Sequence, residues 1–424
     1  MNIFTSQYKT YIKNLSVYFS ASLIPMIISV VTNPIFAYFL SPKDYAIIGY
    51  YTSFNTLFSP FILFYMLHYY QRMYFKVTLE ERKRLKIMLT QALFFFSFIL
   101  FLISLFAVYI YTRISPNEEM PFFPYAILAL LPCWFVNFYT LECIELKMER
   151  KSVSYLRLNI INIVVTILVS LFLVVCLNLG ALGKMLGTLL GPIVIFLYLL
   201  FKRRIFLDFS FKSNVAFREM VVFCLPLVGA AMLGFFSNGY DRVYLERLVS
   251  TETLGYYSVG VTIAGYLNVF SKAIGDTFSP DIFQSVAKRQ FKRSLKFIFI
   301  QIMFVSFIVL VFIILSPFLV YLLTAGKYMN SVPYVKIISL ASISSCMYYA
   351  VSQMVVAMGF TKITLLNKIV GSICCVAMYS VFISHWRAEG AAWSIVCSHL
   401  IFLVGMLLIV GGYKFKRILQ YVKR

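Results

Sequence analysis

The 424-residue chain is 61% hydrophobic and 13% charged, with a mean hydropathy of +0.86. Soluble domains run nearer half apolar and a quarter charged, so an ordinary water-soluble protein is excluded. The net charge of +22 does not indicate nucleic-acid binding, because the basic residues lie in short clusters between apolar segments rather than in one domain or on one face.

The apolar residues arrive in blocks of about twenty, enough to cross ~30 Å of hydrocarbon as a helix. Twelve spans are predicted near 14–38, 44–68, 88–111, 121–142, 154–177, 181–201, 217–240, 255–280, 297–324, 333–357, 363–384 and 390–412. Such long, unalternating runs are helices, since backbone polar groups in lipid must be satisfied within the segment. The fold class is therefore an all-α polytopic membrane protein. The first run follows Lys9 and Lys13, is too long for a signal peptide and lacks a small-residue cleavage site, so it reads as a retained span.

Lys and Arg mark the sides. The amino terminus, the even-numbered loops and the carboxyl terminus hold 29 of the 38, against 8 in the odd-numbered loops and their margins. That alternation places both termini in the cytoplasm. Outward loops are too short for a folded catalytic domain. Inward loops are longer and basic, and residues 76–86 (KVTLEERKRLK) read as a surface-lying helical turn that meets anionic head groups.

Three dipeptide pairs recur at one offset. Pro124-Tyr125 and Pro333-Tyr334 open spans four and ten, 209 residues apart. Leu40-Ser41 and Val249-Ser250 follow spans one and seven at the same offset, and Gly180-Ala181 and Gly390-Ala391 begin spans six and twelve, 210 apart. These imply a duplicated six-helix unit, residues 1–212 and 213–424, with both copies in the same orientation. That parallel-repeat plan places a transport pathway between the halves near the bilayer midplane.

Intramembrane charges are costly and mark candidate functional sites. Asp241 and Arg242 lie toward the outer end of span seven, where Arg242 is either a cationic contact for an anionic cargo or half of a salt bridge fixing an outer gate. Lys272 and Asp276, four apart on one face of span eight, either pair and snorkel or line a cavity with phosphate or proton. Arg157, with Asn159 and Asn162, opens span five from the cytoplasmic side, to meet an entering phosphate or to anchor the interface. Lys184 reads as an interfacial anchor. Asn137, Glu142 and Gln353 read as helix-joining polar groups, and His399 as a deeply placed residue with a conceivable proton role.

The eight cysteines fall in or beside apolar segments without metal-binding spacing, so no metal or other cofactor is expected. The chain has no GxxxxGKS/T phosphate loop, so it is not expected to hydrolyse nucleotide; the drive is an ion gradient or removal of product.

At NPIFAYFLSPKDYAIIGYY (33–51), DRVYLERLVSTETLGYYSV (241–259) and the Gly-Ala starts of spans six and twelve, the chain resembles the polysaccharide-transporter branch of the MOP flippase superfamily, whose best-known members are Wzx-type O-antigen flippases. It departs from the family's pattern at Ala46, where a glycine is usual. The resemblance implies a MATE-like architecture and a multi-pass protein of the bacterial inner membrane. It also implies a non-enzymatic flippase that moves a polyprenyl-pyrophosphate-linked oligosaccharide to the outer leaflet. Membrane lipids and other polysaccharide-assembly membrane proteins are the expected partners, and nucleic acid is not. A multidrug exporter of a sister branch and an integral-membrane polymerase or ligase are the alternatives; the first would want buried carboxylates, the second a large outward loop.

Overall fold

In the computed structural model the described residues are 24–115, 117–149, 151–202, 214–358 and 361–423, with side chains omitted at 214–216, 280, 361–363 and 409–423. Lys9, Lys13, the start of the first predicted span, Arg150 and the basic residues of 203–213 lie outside them, as do the side chains of Lys362 and the carboxyl-terminal cluster. Described residues are almost all helical, with no strand among them, and eight helices are long and apolar enough to cross a membrane. The chain is an all-α polytopic membrane protein. It divides into two compact units, Met1–Met232 and Leu233–Arg424, a division that falls inside the seventh predicted span.

The first unit holds α1 (Ile24–Phe39), α2 (Pro42–Leu63), α3 (Met66–Met73), α4 (Leu79–Ile114), α5 (Tyr125–Met148), α6 (Ser152–Leu171), α7 (Gly180–Phe201) and α8 (Asn214–Met232). Its core is aromatic: Trp134 and Phe138 of α5 meet Phe196 of α7, and the indole Nε1 donates to the Leu93 carbonyl at 3.0 Å. Asn137 donates to Ser97 Oγ at 3.4 Å, which joins α5 to α4 as expected for a polar group between helices. Lys86 and Glu145 form an ion pair between the same two helices.

Two expectations change here. Residues 79–86 are not a separate surface turn but the first turns of α4, because Thr78 and Glu81 form a reciprocal capping box that starts the helix there. Span two is not one straight helix: Phe64 and Tyr65 adopt left-handed backbone angles (φ 48° and 50°), ending α2 one turn after Pro60 and restarting the chain as α3.

The second unit holds α9 (Phe235–Asn238), α10 (Tyr240–Leu245), α11 (Thr251–Gly265), α12 (Leu267–Ala287), α13 (Phe291–Thr324), α14 (Val332–Ala357) and α15 (Thr361–Lys423). Span seven, expected as one helix, is broken into α8, α9 and α10 around Gly234 and Gly239, and span eight is interrupted at Tyr266 between α11 and α12. The 63-residue α15 is a folded hairpin. Asn367 Nδ2 donates to the Phe402 carbonyl at 2.8 Å, although 35 residues of straight helix would separate them by ~50 Å. The chain reverses at Arg387 (φ 49°), and at Gly390 any Cβ would come within 2.1 Å of the Phe382 carbonyl oxygen. The two arms are the eleventh and twelfth predicted spans.

Helix α13 shows what surrounds the unit. One face, with Ile298, Val305 and Val309, is buried, while Phe299, Met303, Phe307 and Ile314 on the other are all more than half exposed. A helix apolar on both faces belongs in lipid.

The repeat is local as well as sequential. Ser41 Oγ caps α2 and Ser250 Oγ caps α11, each accepting from the backbone N–H three residues on. Tyr125 stacks on Tyr51 with ring centroids 6.0 Å apart. In the second unit Tyr334 approaches Gly260, the residue 209 after Tyr51, so closely that a Cβ there would lie 2.8 Å from its own.

Candidate functional site

A cavity of about 680 Å³ opens within the second unit, walled by α12 and α14 with contributions from α9, α11, α13 and α15. Two helix faces make its polar lining. On α12, Asn268, Ser271, Lys272, Gly275 and Asp276 recur at i, i+3, i+4, i+7 and i+8, which sets them in one stripe. On α14 the lining runs from Ile338 to Val356 through Ser342, Ser345, Tyr349 and Gln353, ~27 Å of helix and nearly the depth of the hydrocarbon. A stripe of amides and hydroxyls facing lipid would cost too much, so these side chains belong against protein, water or a polar cargo.

Lys272 and Asp276 line this cavity together and both are exposed to it. Among the described residues neither makes an ion pair, and both side chains line the open space. Asn238, the last residue of α9, also lines it.

The other candidates lie elsewhere. Asp241 and Arg242 are buried in α10, with Arg242 Nε 3.9 Å from Asp241 Oδ2 and the Tyr257 phenol donating to the same oxygen at 2.6 Å. They do not line the cavity. Arg157 and Asn159 belong to α6 of the first unit. Arg157 is exposed, and Asn159 is engaged locally, accepting from Tyr139 at 2.6 Å and donating to the Tyr155 carbonyl at 2.8 Å. Lys184 is held over the rings of Phe36 and Tyr45 at 5.0 and 4.9 Å.

Three cavity residues carry more than the sequence suggested. Gln353 lines the space rather than joining helices, with Oε1 unpaired. Gln301 of α13 is 2% exposed; its Nε2 donates to Cys346 Sγ at 3.5 Å and its Oε1 has no partner. His399 of α15 is 4% exposed, with Nδ1 3.0 Å from the Ile395 carbonyl. The i, i+3, i+4 recurrence of Asn, Ser, Lys and Asp over 268–276 was the signal for the α12 wall. Gln301, one amide in an apolar run, had none.

A search of curated protein sequences finds no match. Solved structures show the fold. The chain is similar to "Lipid II flippase MurJ, inward closed conformation" at 14% identity and a TM-score of 0.69, over 94% of this chain and 87% of that one. It is also similar to an inward-facing multidrug resistance MATE family transporter of the MOP superfamily, at 15% identity and a TM-score of 0.67 over 92% and 93%. A third likeness, at 16% identity and a TM-score of 0.53 over 97% and 96%, is to a MOP superfamily transporter from Pyrococcus furiosus. The polysaccharide biosynthesis protein family matches residues 11–286, well over half of the sequence. The chain therefore belongs to the polysaccharide biosynthesis protein family, and its fold is that of the MOP superfamily.

Proposed function

We propose that the protein is a flippase for a polyprenyl-pyrophosphate-linked oligosaccharide, carried from the cytoplasmic to the outer leaflet of a bacterial inner membrane for a surface polysaccharide such as O-antigen. The observation that supports it is the cavity of the second unit: a polar stripe of amides and hydroxyls with one lysine, Lys272, inside an apolar shell. A hydrated glycan needs the first and a diphosphate the second. The family match to polysaccharide biosynthesis and the similarity to a lipid II flippase agree with that cargo. The basic loops, read by side, put the Lys272 end of the cavity toward the cytoplasm, where such a lipid is assembled.

The purified chain in vesicles, given a fluorescent polyprenyl-diphosphate oligosaccharide, should move label out of reach of an impermeant quencher. Lys272→Ala should slow this by about tenfold, the loss of one charge-assisted contact. Wild-type vesicles with no more exchange than protein-free ones would end the proposal. Asp276 in the same cavity favours the second reading, export of a cationic drug. Carboxylate-dependent ethidium efflux, with no lipid movement, would establish that reading instead.

A further inference from the structure

Lys272 and Asp276 account for the charged wall of the cavity, but Gln301, His399 and Tyr349 remain unused. All three line the same space from three different helices. Gln301 Nε2 donates to Cys346 Sγ, and its carbonyl oxygen is buried without a donor. An orphaned buried acceptor costs ~1–3 kcal/mol, a cost that a bound donor removes. The His399 ring also presents an acceptor. A backbone carbonyl can only accept, so Nδ1 beside Ile395 O carries the proton, and Nε2 of the neutral imidazole is an acceptor. Tyr349, one turn from Cys346 on α14, is about half exposed, and its ring centroid is 6.4 Å from that of His399.

Resting on the flippase reading above, we infer that this part of the cavity is a sugar subsite that recognises hydrogen-bond donors. Gln301 Oε1 and His399 Nε2 receive hydroxyl or N-acetyl protons, and the Tyr349 ring takes the C–H face of a pyranose. Ionised phosphate and carboxylate have only acceptors to offer, so two acceptors repel them. The subsite therefore holds uncharged sugar and leaves the diphosphate to Lys272, which gives the cargo a defined direction in the cavity. Phosphatidylglycerol also carries hydroxyl donors, and the experiment separates the two sources.

Binding to the purified full-length chain in detergent is measured with two probes, di-N-acetylchitobiose and a polyprenyl diphosphate without sugar. Gln301→Leu should weaken the disaccharide about tenfold or more and leave the polyprenyl diphosphate within about twofold. His399→Phe, which keeps an aromatic ring beside Tyr349 and removes the acceptor, should do the same. It also serves as the test if the Gln301 variant does not fold. Lys272→Gln should show the opposite selectivity. Equal loss of both probes in the Gln301 and His399 variants, or an undiminished disaccharide, overturns the subsite while leaving the flippase reading intact. Displacement of the disaccharide by phosphatidylglycerol nanodiscs assigns the subsite to a membrane lipid and overturns it too. If the wild-type chain binds neither probe, the flippase reading itself fails.

Discussion

The phenol of Tyr257 donates to Oδ2 of Asp241 at 2.6 Å, and both residues are completely buried. This bond ties α11 to α10, so the carboxylate that looked like a gate or ion-coupling group is held in place by a tyrosine sixteen residues on. Hydrogen bonds to a charged group contribute ~1.5–3 kcal/mol, and Asp241 Oδ1 has no other hydrogen bond to fall back on. Tyr257→Phe should lower the unfolding temperature in detergent by several degrees. Arg242→Ala should do likewise while leaving the affinity for a polyprenyl diphosphate unchanged, because Arg242 does not line the cavity. A stable Arg242→Ala chain that has lost diphosphate binding would return that residue to the cargo site.

Asp44 serves two helices at once. Its Oδ2 accepts from the backbone N–H and the hydroxyl of Ser41, closing the capping box of α2, while Oδ1 accepts from the Ala181 N–H at 2.7 Å in the first turn of α7. Asp44→Ala should cost ~3 kcal/mol, about one for the cap and the rest for the charged bond. Asp44→Asn keeps an acceptor for Ala181 and should lose distinctly less. Equal unfolding temperatures for the two variants would show that the α7 contact contributes nothing.

Helix α7 approaches α6 through Gly187 and Gly191, while Gly183, on the same side of α7, meets Leu173 just beyond the end of α6. A Cβ on Gly187 would overlap Ser170 Oγ and lie 2.7 Å from the α-carbon of Ser170, and the second of these is backbone that cannot rotate away. Gly187→Val should force the helices apart and reduce the yield of folded protein, at a cost of ~1–3 kcal/mol or more. Ser170→Gly in the same chain should restore only part of it, since the clash with the α6 backbone persists. Full recovery would mean that the hydroxyl alone set the spacing.

The apolar blocks made the helices legible, and the predicted gap between 384 and 390 holds the turn at Arg387. The breaks at Phe64–Tyr65 and Tyr266 were not legible, because the apolar run continues through each and local hydropathy does not report backbone direction. Within the cavity, Lys272 and Asp276 stood out because charge in an apolar run is conspicuous. Gln301 did not, since its partner Cys346 is 45 residues distant and only tertiary packing brings the two together. The same limit applies to Asp241, whose burial depends on α11, so sequence alone left its role divided between gate and salt bridge.

The cavity's water content can be tested with thiol chemistry, because alkylthiosulfonates react with the thiolate and thiols ionise only where water reaches them. The eight native cysteines are free; seven are changed to alanine, while Cys346, buried and bonded to Gln301, is kept and its own labelling is subtracted using the parent chain. Ser345 lines the cavity beside Cys346, whereas Phe304 on α13 is 56% exposed on the apolar outer face. In that background, Ser345→Cys in vesicles should react with an impermeant reagent, and a polyprenyl-diphosphate oligosaccharide should slow the reaction. Phe304→Cys is unobstructed by protein but sits in lipid, so it should stay unlabelled whether or not cargo is present. Reaction at 304 with none at 345 would mean that the polar stripe of α12 and α14 is dry, and a dry stripe could not carry a hydrated sugar.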